Sequence, residues 1–122
     1  MKRNQLSSEL RQLLPLTPAV FYVLFALADG EKHGYAIMQQ TESLSGGKFR
    51  MGPGTLYTTL QRLLDLGLID EVQAGGRGES DSRRRYYQLA AGGKQLLAAE
   101  LGRMDSIVRL ARRRKLVAET VE

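Results

Sequence analysis

A row of polar side chains runs through the stretch PGTLYTTLQRLLDLG: Thr55, Tyr57, Thr58, Gln61 and Arg62. They carry hydroxyls, an amide and a guanidinium, which exchange hydrogen bonds but offer no nucleophile paired with a base. Leu56, Leu60, Leu63 and Leu64 recur between them at three-to-four spacing, so a single helix would bury the leucines and present the polar row. A helix fits the major groove of duplex DNA. Thr55 and Tyr57 suit phosphate oxygens, helped by the free N–H groups of the first turn, whereas Thr58 and Gln61 suit base edges. The structural alternatives are that the Tyr57 ring packs in the core with only its hydroxyl exposed, and that Arg62 is ordinary solvated surface.

A second charged group follows. Arg77, Arg83, Arg84 and Arg85 outnumber Glu79 and Asp81 between two strand-like runs, LIDEVQ and RRRYYQL. Arginine on a hairpin can track the phosphate backbone or enter a narrow minor groove. Strand alternation sends Arg84 and Tyr86 to one face and Arg85 and Tyr87 to the other, so Arg77 and Arg83 are the stronger contact candidates. The alternative is a charged edge that resists strand pairing between molecules. A third basic run, RLARRRK, is left unassigned, because cations at a helix C-terminus offset the helix dipole.

These groups need a scaffold to position them. Residues 6–14 form a short amphipathic stretch with Leu6, Leu10, Leu13 and Leu14 on one face, interrupted by Pro15. Thr17 reads as a helix cap and Pro18 as a first-turn residue. The helix they open is expected to reach about Ala28, with Phe21, Leu24, Phe25 and Ala28 as its apolar stripe. A second helix is expected over residues 34–41, with Tyr35, Ile37 and Met38 in the core. SLSGGKFRMG reads as a loop. The polar-row helix is expected to start near Pro53 and stop at Gly67 in a left-handed turn. Strands are expected over 68–73 and 85–89. Three helices followed by a β-hairpin wing form an architecture that docks on duplex DNA.

The last helix is expected over 93–117. Leu97, Leu101, Met104, Val108 and Ala111 alternate steps of four and three, an a/d seam of little more than two heptads. A stripe that a small core cannot cover predicts a homodimer, with Phe21 and Phe25 joining the interface; the alternative lays the stripe across the first long helix of the same chain.

The composition agrees with a polyanionic partner. Eighteen Lys and Arg against thirteen Asp and Glu give a net charge of +5 at pH 7. There are no cysteines, and the one histidine, His33, has no local carboxylate cluster beside it. No metal, cofactor or enzymatic activity is therefore expected. His33 is expected to fix the start of the second helix or to touch a phosphate. GGRGES sits inside the hairpin and lacks the lysine of a phosphate-binding loop. No apolar run is long enough to span a bilayer. The basic N-terminus carries Glu9 and a broken apolar pattern, unlike a secretory leader, so a cytoplasmic protein is expected.

Taken together, AVFYVLFALADGEKHGYAIM, GPGTLYTTLQRLLDLGLI and RRRYYQL resemble the PadR family of bacterial transcriptional regulators, from Leu16 through the last helix. HGY, GTLY, LGLI and RRYY in this order and spacing carry the resemblance. It implies winged-helix dimers joined by their terminal helices, repression at palindromic promoter sites, and in some members a response to small hydrophobic compounds. Two positions depart from the family pattern. Thr58 stands where proline is common, and Leu89-Ala90-Ala91-Gly92-Gly93 replaces the usual LTxxG, so Ala90 cannot cap the last helix as threonine does. The chain lacks tryptophan, so it cannot stack a ligand between tryptophans as some members do.

The expected fold is mainly α with a small β-hairpin, a winged helix-turn-helix plus a long C-terminal dimerisation helix. Residues 1–90 would form the DNA-binding domain with an N-terminal helical extension, and 91–122 the dimerisation helix. The expected function is sequence-specific repression by a dimer bound to double-stranded DNA, relieved by a small hydrophobic effector. In so short a chain the effector would act at the dimer interface or on the DNA-binding unit. The alternative is a winged-helix protein-interaction module, since fold alone does not separate the two.

Overall fold

The structure, a computed structural model, describes residues 6–73 and 85–118. Among the described residues, five helices and three strands follow in the order α1 (Ser8–Arg11), α2 (Pro18–Ala26), β1 (Lys32–His33), α3 (Gly34–Leu44), α4 (Pro53–Asp65), β2 (Ile69–Val72), β3 (Tyr86–Leu89) and α5 (Ala91–Arg113). The short α1 covers only the middle of the expected 6–14 stretch. Its cap is Ser7, whose hydroxyl accepts from the Leu10 amide.

Helix α2 begins as its sequence dictates. Thr17 Oγ1 accepts from the Val20 amide at 3.3 Å, and Pro18 occupies the first turn. The helix is the hub of the core and packs against α3, α4 and α5. Val20, Val23, Leu24 and Ala26 are buried, and so is Leu27 at its end. A helix surrounded on several sides is apolar nearly all round, so a single stripe understated it. Ala28 lies beyond the helix and is exposed, while Phe21 and Phe25 are half-buried.

His33 sets the start of α3: its Nδ1 accepts from the Ala36 amide at 3.4 Å. Ile37 and Thr41 are buried along this helix, but Tyr35 is 62% exposed and is not a core residue. The helix runs three residues beyond the expected Thr41. It ends where Gly46 adopts a φ of 65° and the Gly47 amide reaches back to the Glu42 carbonyl at 2.8 Å. Within the following loop the Ser45 hydroxyl accepts from the Phe49 amide at 2.9 Å.

Helix α4 buries Leu56, Leu60 and Leu63 and half-buries Leu64, as the spacing predicts. Gly67, with a φ of 75°, stops it. The Gly67 amide donates to the Leu64 carbonyl and the Leu68 amide to the Leu63 carbonyl, a Schellman turn that seats Leu63 and Leu68 in the core together. The chain then passes directly into β2.

The sheet holds one strand more than the hairpin expected from sequence. Its order is β1-β3-β2, all antiparallel, with Ile69 opposite Leu89, Val72 and His33 both opposite Tyr86, and Lys32 opposite Tyr87. Because β3 is central, the adjacent Tyr86 and Tyr87 are both buried although they point to opposite faces.

Helix α5 starts at Ala91, earlier than expected, with Ala90 as a cap that makes no side-chain bond. Gly93 lies against the chain reversal after α4, where a Cβ would come 2.1 Å from the Leu68 carbonyl oxygen. Leu96, Leu97 and Glu100 are buried against the rest of the chain. Leu97 therefore belongs to the chain's own core, a correction to its expected place on an intermolecular seam. Beyond Glu100 the helix runs out of core: Leu101, Ile107, Val108 and Leu110 are exposed.

Candidate nucleic-acid interface

The two halves of the helix-turn-helix are α3 and α4, which pack against each other and against α2. Burial of Leu56, Leu60 and Leu63 turns the opposite side of α4 outward, so Thr55, Tyr57, Thr58, Gln61 and Arg62 are all exposed. They follow one another along an uninterrupted helical surface. The first turn offers unpaired backbone N–H groups, and the cap, Gly52, has no side chain to occupy them.

Gln61 is held in place. Its Nε2 donates to Asp65 Oδ1 at 2.9 Å, one turn on. The amide keeps a second N–H and its carbonyl oxygen for another partner, the pair needed to read adenine. Arg62 lies at the edge of the row, where it also borders a recess lined by Leu13, Leu16, Val20 and Leu66.

Tyr57 is not the buried ring of the structural alternative: it is 51% exposed. Its inner side rests over the start of α3. A Cβ placed on Gly34 would come 2.5 Å from Tyr57 Oη, 3.1 Å from its Cζ and 3.2 Å from Leu56 Cδ2. The root of the wing stands close by. Burial, with the charge of Glu71, pushes the Tyr87 hydroxyl above the usual tyrosine pKa, and neighbouring Tyr57 acts in the same direction. Arg85 opposes that shift and forms an ion pair with Glu71 at 3.5 Å. Arg85, Tyr87 and Glu71 thus share one face, as alternation requires.

Arg77, Arg83 and Arg84 lie outside the described residues. Of the expected intermolecular residues, Phe21 and Phe25 are half-buried with ring centroids 5.5 Å apart, Leu101 and Val108 are exposed, and Met104 and Ala111 are half-buried. Among the described residues no group of acidic and imidazole side chains is arranged to hold a metal, and no helix is long and apolar enough to cross a membrane.

Sequence reasoning missed Glu100. Its side chain is 1% exposed and anchors the N-terminal segment: Oε2 accepts from the Leu16 amide at 3.0 Å, and Oε1 takes Arg103 Nε at 2.6 Å. The Arg103 guanidinium, aided by the Leu16 amide, holds the carboxyl below the usual carboxylate range despite its burial. The signal was available, because Glu100 falls four and three residues after Leu96 and Leu97, on the inward face.

A helix-turn-helix whose second helix exposes a polar row, backed by a three-stranded antiparallel sheet, defines a winged helix-turn-helix unit. The model of the transcriptional regulator PadR-like family matches residues 23–99, and the chain belongs to that family, whose members are transcriptional regulators rather than enzymes. It is 42% identical over 82 residues, 67% of its length, to an uncharacterized 37.1 kDa protein in transposon TN4556 of Streptomyces fradiae, of which it spans only 21%. It is 33% identical over 88 residues to the transcriptional regulator Rv3488 of Mycobacterium tuberculosis, covering 72% of this chain and 77% of that protein. Among solved structures it resembles Bacillus subtilis PadR in complex with operator DNA, with a TM-score of 0.61 and 25% identity over 71% of this chain and 47% of that one.

Proposed function

We propose that the chain acts as a homodimeric repressor that places α4 of each protomer in a major groove of a near-palindromic operator. The observation that carries this reading is the outward row of Thr55, Tyr57, Thr58, Gln61 and Arg62 on a helix whose other side is locked into the core. Thr55 and Tyr57 bind phosphate, Thr58 and Gln61 read base edges, and Arg62 adds charge at the rim. Arg77 and Arg83 of the wing add affinity of low sequence dependence. The relative solved with operator DNA supports duplex DNA as the partner. The second half of α5, through Leu101, Met104, Val108 and Ala111, joins the protomers, with Phe21 and Phe25 at the margin. Two-fold symmetry then sets half-sites about one helical turn, roughly 34 Å, or a multiple apart. A planar hydrophobic effector relieves repression by favouring a dimer geometry that no longer matches that spacing. The half-buried rings of Phe21, Tyr22, Phe25 and Phe49, with Tyr22 stacked on Phe49 at 5.5 Å, support that ligand class.

The test is to select an operator from a randomised duplex pool and compare Gln61→Ala on it and on unrelated DNA. A loss of about tenfold confined to the operator is expected from removing one base contact. Equal losses on both duplexes would remove Gln61 from base reading, and selection of no duplex by the wild type would remove the DNA reading itself.

A further inference from the structure

We propose that Gly34 is a positioning residue for DNA binding: its missing side chain leaves the space in which the Tyr57 phenol lies, and so sets where the Tyr57 hydroxyl meets the phosphate backbone. This rests on the reading of Tyr57 as a phosphate contact.

The geometry singles Gly34 out. It is the first residue of α3 and is buried, yet its backbone is not one that demands glycine, because its φ lies outside the left-handed region. What demands glycine is the 2.5 Å between its would-be Cβ and Tyr57 Oη. Most other glycines here differ: Gly46 and Gly67 adopt positive φ with open space around them, and Gly93 faces a backbone carbonyl. Gly34 alone among the described glycines is crowded chiefly by an exposed, polar side chain assigned to the interface.

The two neighbours respond differently to a methyl group. The Leu56 contact at 3.2 Å needs an adjustment of a few tenths of an ångström. The phenol has no such small adjustment at 2.5 Å, but it is half exposed and can swing toward solvent. Gly34→Ala should therefore leave the fold standing and displace the hydroxyl. His33 and Gly34 are consecutive, and His33 pairs with Tyr86 in the sheet, so the backbone at the start of α3 is held by β3. The phenol lies against that backbone, and Gly34 makes room for it.

The test is a double-mutant cycle on a random-sequence duplex at low salt, since a phosphate contact carries no sequence preference. Tyr57→Phe and Gly34→Ala should each weaken binding by about tenfold, and the double variant by about tenfold rather than by the product. The log–log salt slope should stay at the wild-type value, because a hydroxyl neutralises no phosphate; misdocking of the whole helix would flatten it. Gly34→Ala binding like wild type while Tyr57→Phe is impaired, or losses that multiply, would overturn the positioning role. If Gly34→Ala unfolds, Tyr57→Ala in the same chain should restore the fold by vacating the space, and no such rescue would overturn the steric account. A wild type without affinity for any duplex fails the DNA reading instead, which separates the two outcomes.

Discussion

Glu100 carries a charge into the core because three donors meet it: the Leu16 amide and two nitrogens of Arg103. Its folded-state pKa is lowered, with the Arg103 hydrogen bond as the leading cause. A carboxylate of this kind contributes stability that is fully present above its unfolded pKa, about 4.3 for glutamate, and lost as pH falls through the lower folded value. Glu100→Gln keeps an oxygen for Leu16 but surrenders the ion pair. At pH near 7 it should cost about 1–2 kcal/mol in urea unfolding, a modest figure because Arg103 is partly solvated. The difference from wild type should shrink once the pH drops below the folded pKa, and a gap that stays constant with pH would show that charge is not what Glu100 contributes.

At the scale of elements, α4 and α5 are the two described helices that start without a side-chain cap, and α5 is the one that no proposed DNA contact explains. Ala90 occupies the cap position with extended backbone and no side-chain bond, while Ser7, Thr17 and His33 all cap their helices. Ala90→Ser should stabilise the chain by about 1 kcal/mol, read as a raised Tm, and an unchanged Tm would mean water already satisfies those amides. Elements marked by local chemistry were legible from sequence. Thr17-Pro18 and Gly67 bound their helices by side-chain and backbone preferences that act within a few residues, and α4 shows its two faces because one meets water. Strand β1 was not legible, since Lys32 and His33 become a strand only by pairing with β3, far along the chain. Tyr35 was misplaced because an aromatic in a helix reads as apolar, although here its side of the helix faces solvent. The DNA row was legible as a pattern, but the fit of Tyr57 over Gly34 required two distant segments in contact.

For the whole molecule, the exposed side chains Leu101, Ile107, Val108 and Leu110 on α5 are a surface that the described residues leave uncovered. Dimerisation would cover it, and light scattering at micromolar concentration should then give about twice the 13.6 kDa chain mass. Met104→Asp should push the protein toward monomer by burying a charge in the interface; a wild type that stays monomeric would end the dimer proposal. The strand order has a consequence in time as well as in space. The central strand of the sheet, β3, is its last in sequence: β2 reaches it across 14 to 20 residues, whereas β1 pairs with it across 53 to 55. Closing the shorter loop costs less entropy, so the β2–β3 ladder can form before β1 is drawn in. The pairing of Lys32 and His33 with β3 should therefore be the last part of the sheet to form. Weakening that edge with Lys32→Gly should accelerate unfolding and leave the folding rate almost untouched, so this edge governs how long the native state lasts rather than how fast it forms.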